Sequence, residues 1–255
     1  MTRIFARPQT IGMGAILATM VLGTATAAQA EPNRWTLGAG VGVVPRFQGA
    51  DKYKAQPLPL VDIQVGRFFA RGVDEIGVNV VDTPRFKAGA SVSWMHGYDS
   101  DDVPEGIDGV DDALGARLFV STQFRGAVAR LTATQAVTET DRGLLVNASL
   151  AYPIRTNERL TITPSLGTTW ANAKYMDSYF GVDAPEAAAS GLRRHNPSSG
   201  FKDIFFRISA SYRITDSISA LGSIGVTHLL GDAADSPFVE QKTQPLALMG
   251  LTYTF

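Results

Sequence analysis

Residues 243–255, TQPLALMGLTYTF, decide the fold of this chain. Side chains of an extended strand point alternately to its two faces, so Met249, Leu251, Tyr253 and Phe255 share one apolar face. A transmembrane β-barrel needs such a strand, because its last strand closes the ring while its outer face touches lipid. The alternative is an edge strand of a soluble protein, and the rest of the chain argues against it.

The same four side chains resemble the carboxy-terminal assembly signal of bacterial outer-membrane proteins. In that signal a terminal Phe and alternate apolar residues are recognised by the insertion machinery. The resemblance implies that Met249, Leu251, Tyr253 and Phe255 form a membrane assembly signal.

The first 30 residues predict a secretory signal peptide. Arg3 and Arg7 give a positive start, residues 11–27 form an apolar run with small residues, and Ala28-Gln29-Ala30 fits a cleavage site. The predicted organisation is therefore a signal peptide at 1–30 and one mature domain at 31–255.

The composition narrows the class of protein. The 255 residues carry a net charge of -1, which gives no reason to expect a nucleic-acid partner, and they include no cysteine, so disulfides cannot stabilise the exported chain. Outside the signal peptide no segment reaches the roughly 18 apolar residues of a membrane helix. The absence of long helical periodicity indicates an all-β protein.

Period-two alternation predicts about twelve strands. They are residues 35–43, 57–65, 68–71, 75–81, 86–94, 114–124, 127–137, 143–152, 159–171, 204–212, 218–229 and 243–255. Pro164 cannot donate to a ladder, so a bulge or irregularity is expected there.

The lengths of the connections alternate along the chain. Four connections are long, at residues 44–56, 95–113, 172–201 and 230–242, and five are short, at residues 66, 82–85, 125–126, 153–158 and 214–217. Short periplasmic turns and longer extracellular loops are typical of outer-membrane barrels. Aromatic residues near the predicted strand ends fit the two interfacial girdles. The sequence thus predicts an all-β, antiparallel transmembrane barrel in the outer membrane of a Gram-negative bacterium, in contact with its lipid.

Charged residues on the strands fall on the face opposite the lipid. By parity Lys87, Arg117, Arg130, Arg207 and Arg213 point into the lumen, where Asp62 opposes them. One reading is a basic lumen that passes or holds anions. The other is internal salt bridging to acidic outer loops that plug the barrel, and a twelve-stranded barrel fits both.

A catalytic site finds little support in the sequence. The best candidate is His195 with Ser198, Ser199 and Asp203, which shows no nucleophile-elbow pattern. We therefore predict no enzyme activity, no cofactor and no metal centre. The acidic loop at 95–113 could bind calcium, but it fits no EF-hand spacing and is interpreted as a solvated acidic loop.

Several blocks resemble the MipA/OmpV family of outer-membrane proteins across nearly the whole mature chain. The blocks are Gly38-x-Gly40, Pro45-x-Phe47-x-Gly49-Ala50-Asp51-x-Tyr53, Pro57-Leu58-Pro59, Trp170-Ala171-x-Ala173-x-Tyr175-Met176, Tyr179-Phe180-Gly181-Val182 and residues 230–237. A Tyr-x-Pro-x-x-Gly element of the family is replaced by His195-Asn196-Pro197-Ser198-Ser199-Gly200.

The resemblance implies a non-catalytic interaction or scaffold protein, since the member that names the family is described as linking a lytic transglycosylase to a penicillin-binding protein. Other members are linked to adhesion, osmotic response or antibiotic response. The alternatives are a narrow, anion-preferring pore and an adhesin acting through the outer loops. A murein enzyme would meet the periplasmic turns, where Arg155, Glu158 and Arg159 offer charge contacts. The sequence names no solute and no oligomeric state.

Overall fold

The computed structural model of the protein describes residues 33–72 and 74–255. The predicted signal peptide lies outside the described residues. Within them, no helix has the length and apolarity of a membrane span.

The described chain forms a closed antiparallel β-barrel with twelve strand positions. The strands are β1 (Arg34–Pro45), β2 (Tyr53–Val65), β3 (Phe68–Arg71), β4 (Glu75–Asp82), β5 (Phe86–Met95), β6 (Ala113–Phe124), β7 (Ala127–Ala136), β8 (Leu144–Ala151), β9 (Ile154–Arg155), β10 (Leu160–Ala171), β11 (Gly200–Arg213), β12 (Ile218–Leu229) and β13 (Thr243–Thr254). Both β8 and β9 pair with β10 and share one position in the ring. Strand β13 pairs with β1 and closes the barrel.

The register of the barrel puts apolar side chains outside and polar ones inside. On β13, Met249, Leu251 and Tyr253 are 65%, 56% and 46% exposed, whereas Leu248 and Thr252 on the other face are buried. A slip of one residue would reverse these faces and move lumen charges into lipid, at about 2–4 kcal/mol each near the midplane. The predicted register of the closing strand is confirmed.

The predicted aromatic girdles are present at the strand ends. Trp35, Tyr253 and Phe255 are exposed at the end where residues 33 and 255 lie, and Trp94 is exposed at the opposite end. The short turns lie at the same end of the barrel as residues 33 and 255, and the long loops lie at the other end. We assign the end with the short turns to the periplasm, since short periplasmic turns are typical of outer-membrane barrels.

Three local predictions were wrong. Strand β1 continues to Pro45 and β2 begins at Tyr53, so the first outer loop is shorter than expected. Loop 172–199 contains two helices, α1 (Ala173–Phe180) and α2 (Ala184–Ser190), where only a loop was expected. A further short helix, α3 (Gly231–Ala234), precedes β13.

The bulge expected at Pro164 lies elsewhere. The β10–β11 register shifts between Thr169 and Trp170 and is continuous at Pro164. The carbonyl of Pro164 accepts from the N–H of Tyr152, so its nitrogen faces the same neighbour. That neighbour is interrupted at Tyr152 and Pro153, between β8 and β9, so the missing donor falls where the ladder is already broken.

Candidate functional site

The lumen contains two cavities along the barrel axis. The periplasmic one has a volume of about 320 Å³ and the outer one about 290 Å³. Asp74, Arg117 and Arg130 line both cavities, so the two volumes meet at this level of the barrel.

Glu75 is a buried acidic residue of the lumen and is only 3% exposed. Its Oε2 lies 3.3 Å from Nη1 of Arg117, and its Oε1 lies 3.8 Å from Nη2 of Arg130. Oε1 also accepts a 2.7 Å hydrogen bond from the Ser91 hydroxyl, while Nε of Arg117 donates to Thr134 at 2.9 Å. Two basic side chains thus share one buried carboxylate, and the full lining of each cavity carries more basic than acidic side chains.

Glu75 was not among the predicted lumen residues, because its position at the start of a short strand gave no clear parity. Arg117 and Arg130 line both cavities, whereas one of the two readings of the sequence paired the basic lumen residues with acidic outer loops. The wall itself, and not an acidic outer loop, provides the carboxylate that pairs with them.

The other predicted lumen residues are distributed along the axis. Arg207 is buried and lines the outer cavity, and Asp62 is buried and pairs with Arg34 on β1 near the periplasmic end. Lys87 also lies near that end, with Nζ 3.1 Å from Oδ1 of Asp82. Arg213 lies at the periplasmic rim, where it is exposed and donates to the Glu158 carbonyl at 2.7 Å. The six residues therefore do not form one site.

The outer mouth of the barrel is closed by a hydrophobic plug, which we define as the buried apolar residues of the outer loops. They are Phe47, Ala50, Tyr98, Val103, Ile107, Val110, Tyr175, Met176, Tyr179, Phe180, Val182, Ala233, Ala234 and Phe238. The stacked rings of Tyr175 and Tyr179 lie 4.1 Å apart. Each loop alone is polar in sequence, and its apolar side chains become a core only when the loops meet.

Hydrogen bonds fix the plug to the barrel rim. The Gln244 amide on β13 donates to the carbonyls of Phe47 and Ala50, and its oxygen accepts from the Gly49 N–H. The Tyr179 hydroxyl donates to the His96 carbonyl at 2.7 Å. Burial raises the pKa of the Tyr179 phenol and keeps it protonated.

The candidate hydrolase residues do not come together as a triad. Nε2 of His195 lies 2.8 Å from the Asp232 carbonyl oxygen, and the Ser198 N–H donates to the Asp232 carboxylate. Asp203 is buried in the lumen beneath the plug, where it pairs with Lys202. These groups hold the loop to α3 and bring no nucleophile to a base.

The acidic loop at residues 96–112 makes structural contacts. Asp102 accepts from Lys54 at 2.6 Å and lies 3.8 Å from Arg46. Asp112 accepts from the Trp94 indole and from the Gly97 N–H. Across residues 33–72 and 74–255, no three His, Asp or Glu side chains are grouped as a metal site would need.

The periplasmic rim presents a basic surface at the turn between β9 and β10. Arg155, Glu158 and Arg159 are exposed there, and Arg213 joins them from β11 through its bond to the Glu158 carbonyl. The Asn157 side chain accepts from two N–H groups of the turn and fixes its shape. We call these four charged residues the rim cluster.

The chain is similar in sequence to known proteins over most of its length. A family model described as MltA-interacting protein MipA matches residues 37–255. The chain is 27% identical over 250 residues to the MltA-interacting protein of Escherichia coli (strain K12), covering 96% of this chain and 98% of the relative. It is 23% identical over 220 residues to the 24 kDa outer membrane protein of Pasteurella multocida, covering 82% and 85%. Among solved structures, Pseudomonas putida OprB at high pH aligns over 88% of this chain and 94% of its own, with a TM-score of 0.44 and 7% identity.

Proposed function

Because the chain belongs to the MltA-interacting protein MipA family, we propose that it is a non-catalytic outer-membrane scaffold whose periplasmic rim binds a lytic transglycosylase. The observation that carries the proposal is the difference between the two ends of the barrel. The outer mouth is closed by the plug, whereas the periplasmic rim offers exposed, fixed and charged side chains.

The two ends of the barrel differ in charge. Loops 46–52, 96–112, 137–143, 172–199 and 230–242 carry sixteen acidic and seven basic side chains. The periplasmic turns at 66–67, 83–85, 125–126, 156–159 and 214–217 carry four arginines and two acidic residues. A periplasmic partner is therefore expected to present an acidic surface, which arginine binds in a bidentate manner.

The size of the rim limits how many partners bind together. A stable interface buries about 800 Å² on each side and uses about 20–30 residues. The five periplasmic turns contain fifteen residues in separate segments. Even with the adjoining strand ends, one monomeric barrel has room for a single murein enzyme, held weakly.

The proposal is tested by capture in lipid nanodiscs. Folded barrel is incubated with a lytic transglycosylase, with a penicillin-binding protein, and with both. We expect weak capture of the transglycosylase and competition when both are present. Tight simultaneous capture of both by a monomeric barrel would contradict the argument from the small inner face.

A second candidate function, a narrow pore for anions, is favoured by the lumen itself. Both cavities include Arg117 and Arg130, and the lining of each carries more basic than acidic side chains. Such a pore conducts only when the plug moves, and planar-bilayer recording measures this directly.

A further inference from the structure

The barrel wall has a gap on the outer side between β2 and β5. Strand β3 pairs with β2 only over Asp62–Val65, and the β3–β4 hairpin turns back at that level. Residues 53–61 of β2 therefore have a strand partner on the β1 side alone, in the described part of the chain. On the far side β5 continues past the start of β4 to Met95.

This gap is bounded below by the β3–β4 hairpin and above by an outer loop. Gly72 and Asp74 form its lower edge, where the Gly72 N–H donates to the Val61 carbonyl at 2.8 Å. The salt bridge between Lys54 and Asp102 of the outer loop closes it above. We call this opening the wall window.

Two prolines lie on the open edge of β2. Since the Val61 carbonyl is bonded by Gly72, the backbone groups of Val61 face β3, and those of Pro57 and Pro59 face the same side. The ladder to β1 continues past both prolines without interruption, as it would not if their nitrogens faced β1. The edge thus lacks two N–H groups at the positions where lipid would leave them unsatisfied.

The prolines also decide what occupies the window. A strand from a second chain would need those N–H donors to extend the sheet, so strand addition is disfavoured. A hydrocarbon chain needs no donor from this edge, so the two prolines disfavour it less than they disfavour an added strand.

The periplasmic cavity borders the part of β2 that forms one side of the window. Pro59 and Val61, which point outward on β2, line the same cavity as Leu58 and Leu60, which point inward. Leu58 and Leu60 belong to an apolar cluster with Val44, Leu246 and Leu248 on the inner wall. The lining of the cavity therefore includes residues from both faces of β2 beside the window.

The same cavity is lined by more basic than acidic side chains. Arg34, Arg71, Arg85, Lys87, Arg117 and Arg130 line it, against Asp62, Asp74 and Glu75. Nη2 of Arg130 is buried, 3.8 Å from Glu75, and makes no hydrogen bond to the described residues. A donor of this kind fits an anionic head group.

We propose that the wall window is a lateral entrance from the membrane, and that the cavity behind it binds anionic amphiphiles with a single hydrocarbon chain. The chain lies against Leu58, Leu60 and Leu248, and the acidic head group reaches Arg117 and Arg130. The fatty-acid carboxylate is the simplest head group with this chemistry. The inference is independent of binding at the periplasmic rim.

The test uses the absence of cysteine from the chain. Leu60→Cys provides one labelling position inside the cavity, and Met249→Cys provides a matched position on the lipid-facing side. Each folded variant carries a bimane fluorophore in phosphatidylcholine vesicles. It is titrated with doxyl-labelled stearate, and separately with phosphatidylcholine bearing the same doxyl group.

We expect doxyl-stearate to quench the fluorophore at position 60 saturably and unlabelled stearate to reverse the quenching. Doxyl-phosphatidylcholine should quench position 249 but not position 60, which separates a free amphiphile from the chains of bilayer lipid. Equal, unsaturable quenching at both positions would mean that ordinary lipid fills the window and would overturn the proposal. So would absence of quenching at position 60, or cross-linking of that cysteine to a second copy.

The head-group site is tested with an uncharged probe. Doxyl-stearyl alcohol should bind about tenfold more weakly than doxyl-stearate to the protein with unaltered arginines, since it lacks a charged hydrogen-bond acceptor. Arg130→Gln should remove this difference and leave alcohol binding unchanged. Equal affinity for both probes would contradict the assignment whether or not the variant folds.

Discussion

Oε2 of Glu75 lies 3.3 Å from Nη1 of Arg117 in the middle of the barrel, and the same carboxylate faces Arg130. Arg117 lies on β6 and Arg130 on the neighbouring strand β7. Glu75 on β4 therefore contacts both strands across β5. The burial of three charged groups makes this level of the lumen sensitive to the loss of any one of them.

Glu75→Gln leaves two buried guanidinium groups without a carboxylate. Breaking a buried pair costs about 3 kcal/mol, because a charge remains uncompensated. We expect the urea midpoint of the folded barrel in detergent to fall accordingly. Asp62→Asn is the matched control, since its partner Arg34 lies near the aqueous rim, and it should cost less. Equal losses in the two variants would show that the position in the lumen does not matter.

Deletion of Phe255 should reduce folded protein in the outer membrane. Its ring is 76% exposed and packs edge-on against Tyr253 at 4.8 Å, and its N–H donates to the Trp35 carbonyl. Its loss removes the end of the closing strand and one ring of the girdle. The measurement is the amount of heat-modifiable, protease-resistant barrel, with Phe201→Ala as the control for an exposed ring at the other end. Unchanged levels would argue against residues 249–255 as the assembly signal.

Acidification should weaken the plug through His96. Burial lowers the pKa of this imidazole below its usual 6.5, and Asp112, 4.0 Å away, opposes the shift. The unfolded chain therefore binds a proton more readily, so the contribution of His96 to stability is complete above pH 6.5 and is lost as the pH falls through the lower, folded pKa. His96→Gln should flatten this part of the pH profile of urea unfolding. A profile unchanged by the substitution would exclude His96 as the cause.

Removal of the plug should reveal the charge preference of the lumen. We expect little conductance from the intact barrel in planar bilayers, and anion-selective conductance after replacement of residues 173–199 with a short glycine-serine linker. Selectivity should fade as salt screens the basic charges. A cation-selective pore would contradict the excess positive charge around Arg117 and Arg130.

The sequence predicted the barrel because lipid on one side and polar groups on the other impose a strict period of two. Strands β3 and β12 were placed without error at Phe68–Arg71 and Ile218–Leu229. The same rule identified Arg117, Arg130 and Arg207 as inward-facing.

The periodic pattern could not predict contacts between distant segments. The plug joins side chains from separate outer loops, and Tyr98 meets Phe47 only after the barrel closes. The wall window depends on where β3 stops, and nothing in the alternation of β2 itself reveals that. Pro57 and Pro59 are the one local signal, since two prolines on alternate positions mark an edge that needs no donors.

The affinity of a lytic transglycosylase for the rim cluster tests the central claim most directly. Barrel in nanodiscs is titrated with the enzyme, using the unaltered protein, the Arg155→Glu, Arg159→Glu double variant and a matched Arg46→Glu variant on the outer side. We predict weak binding to the unaltered barrel, a loss of at least tenfold in the double variant, and no change in the outer variant. Equal affinity of the enzyme for all three proteins would contradict the claim that the periplasmic rim binds it.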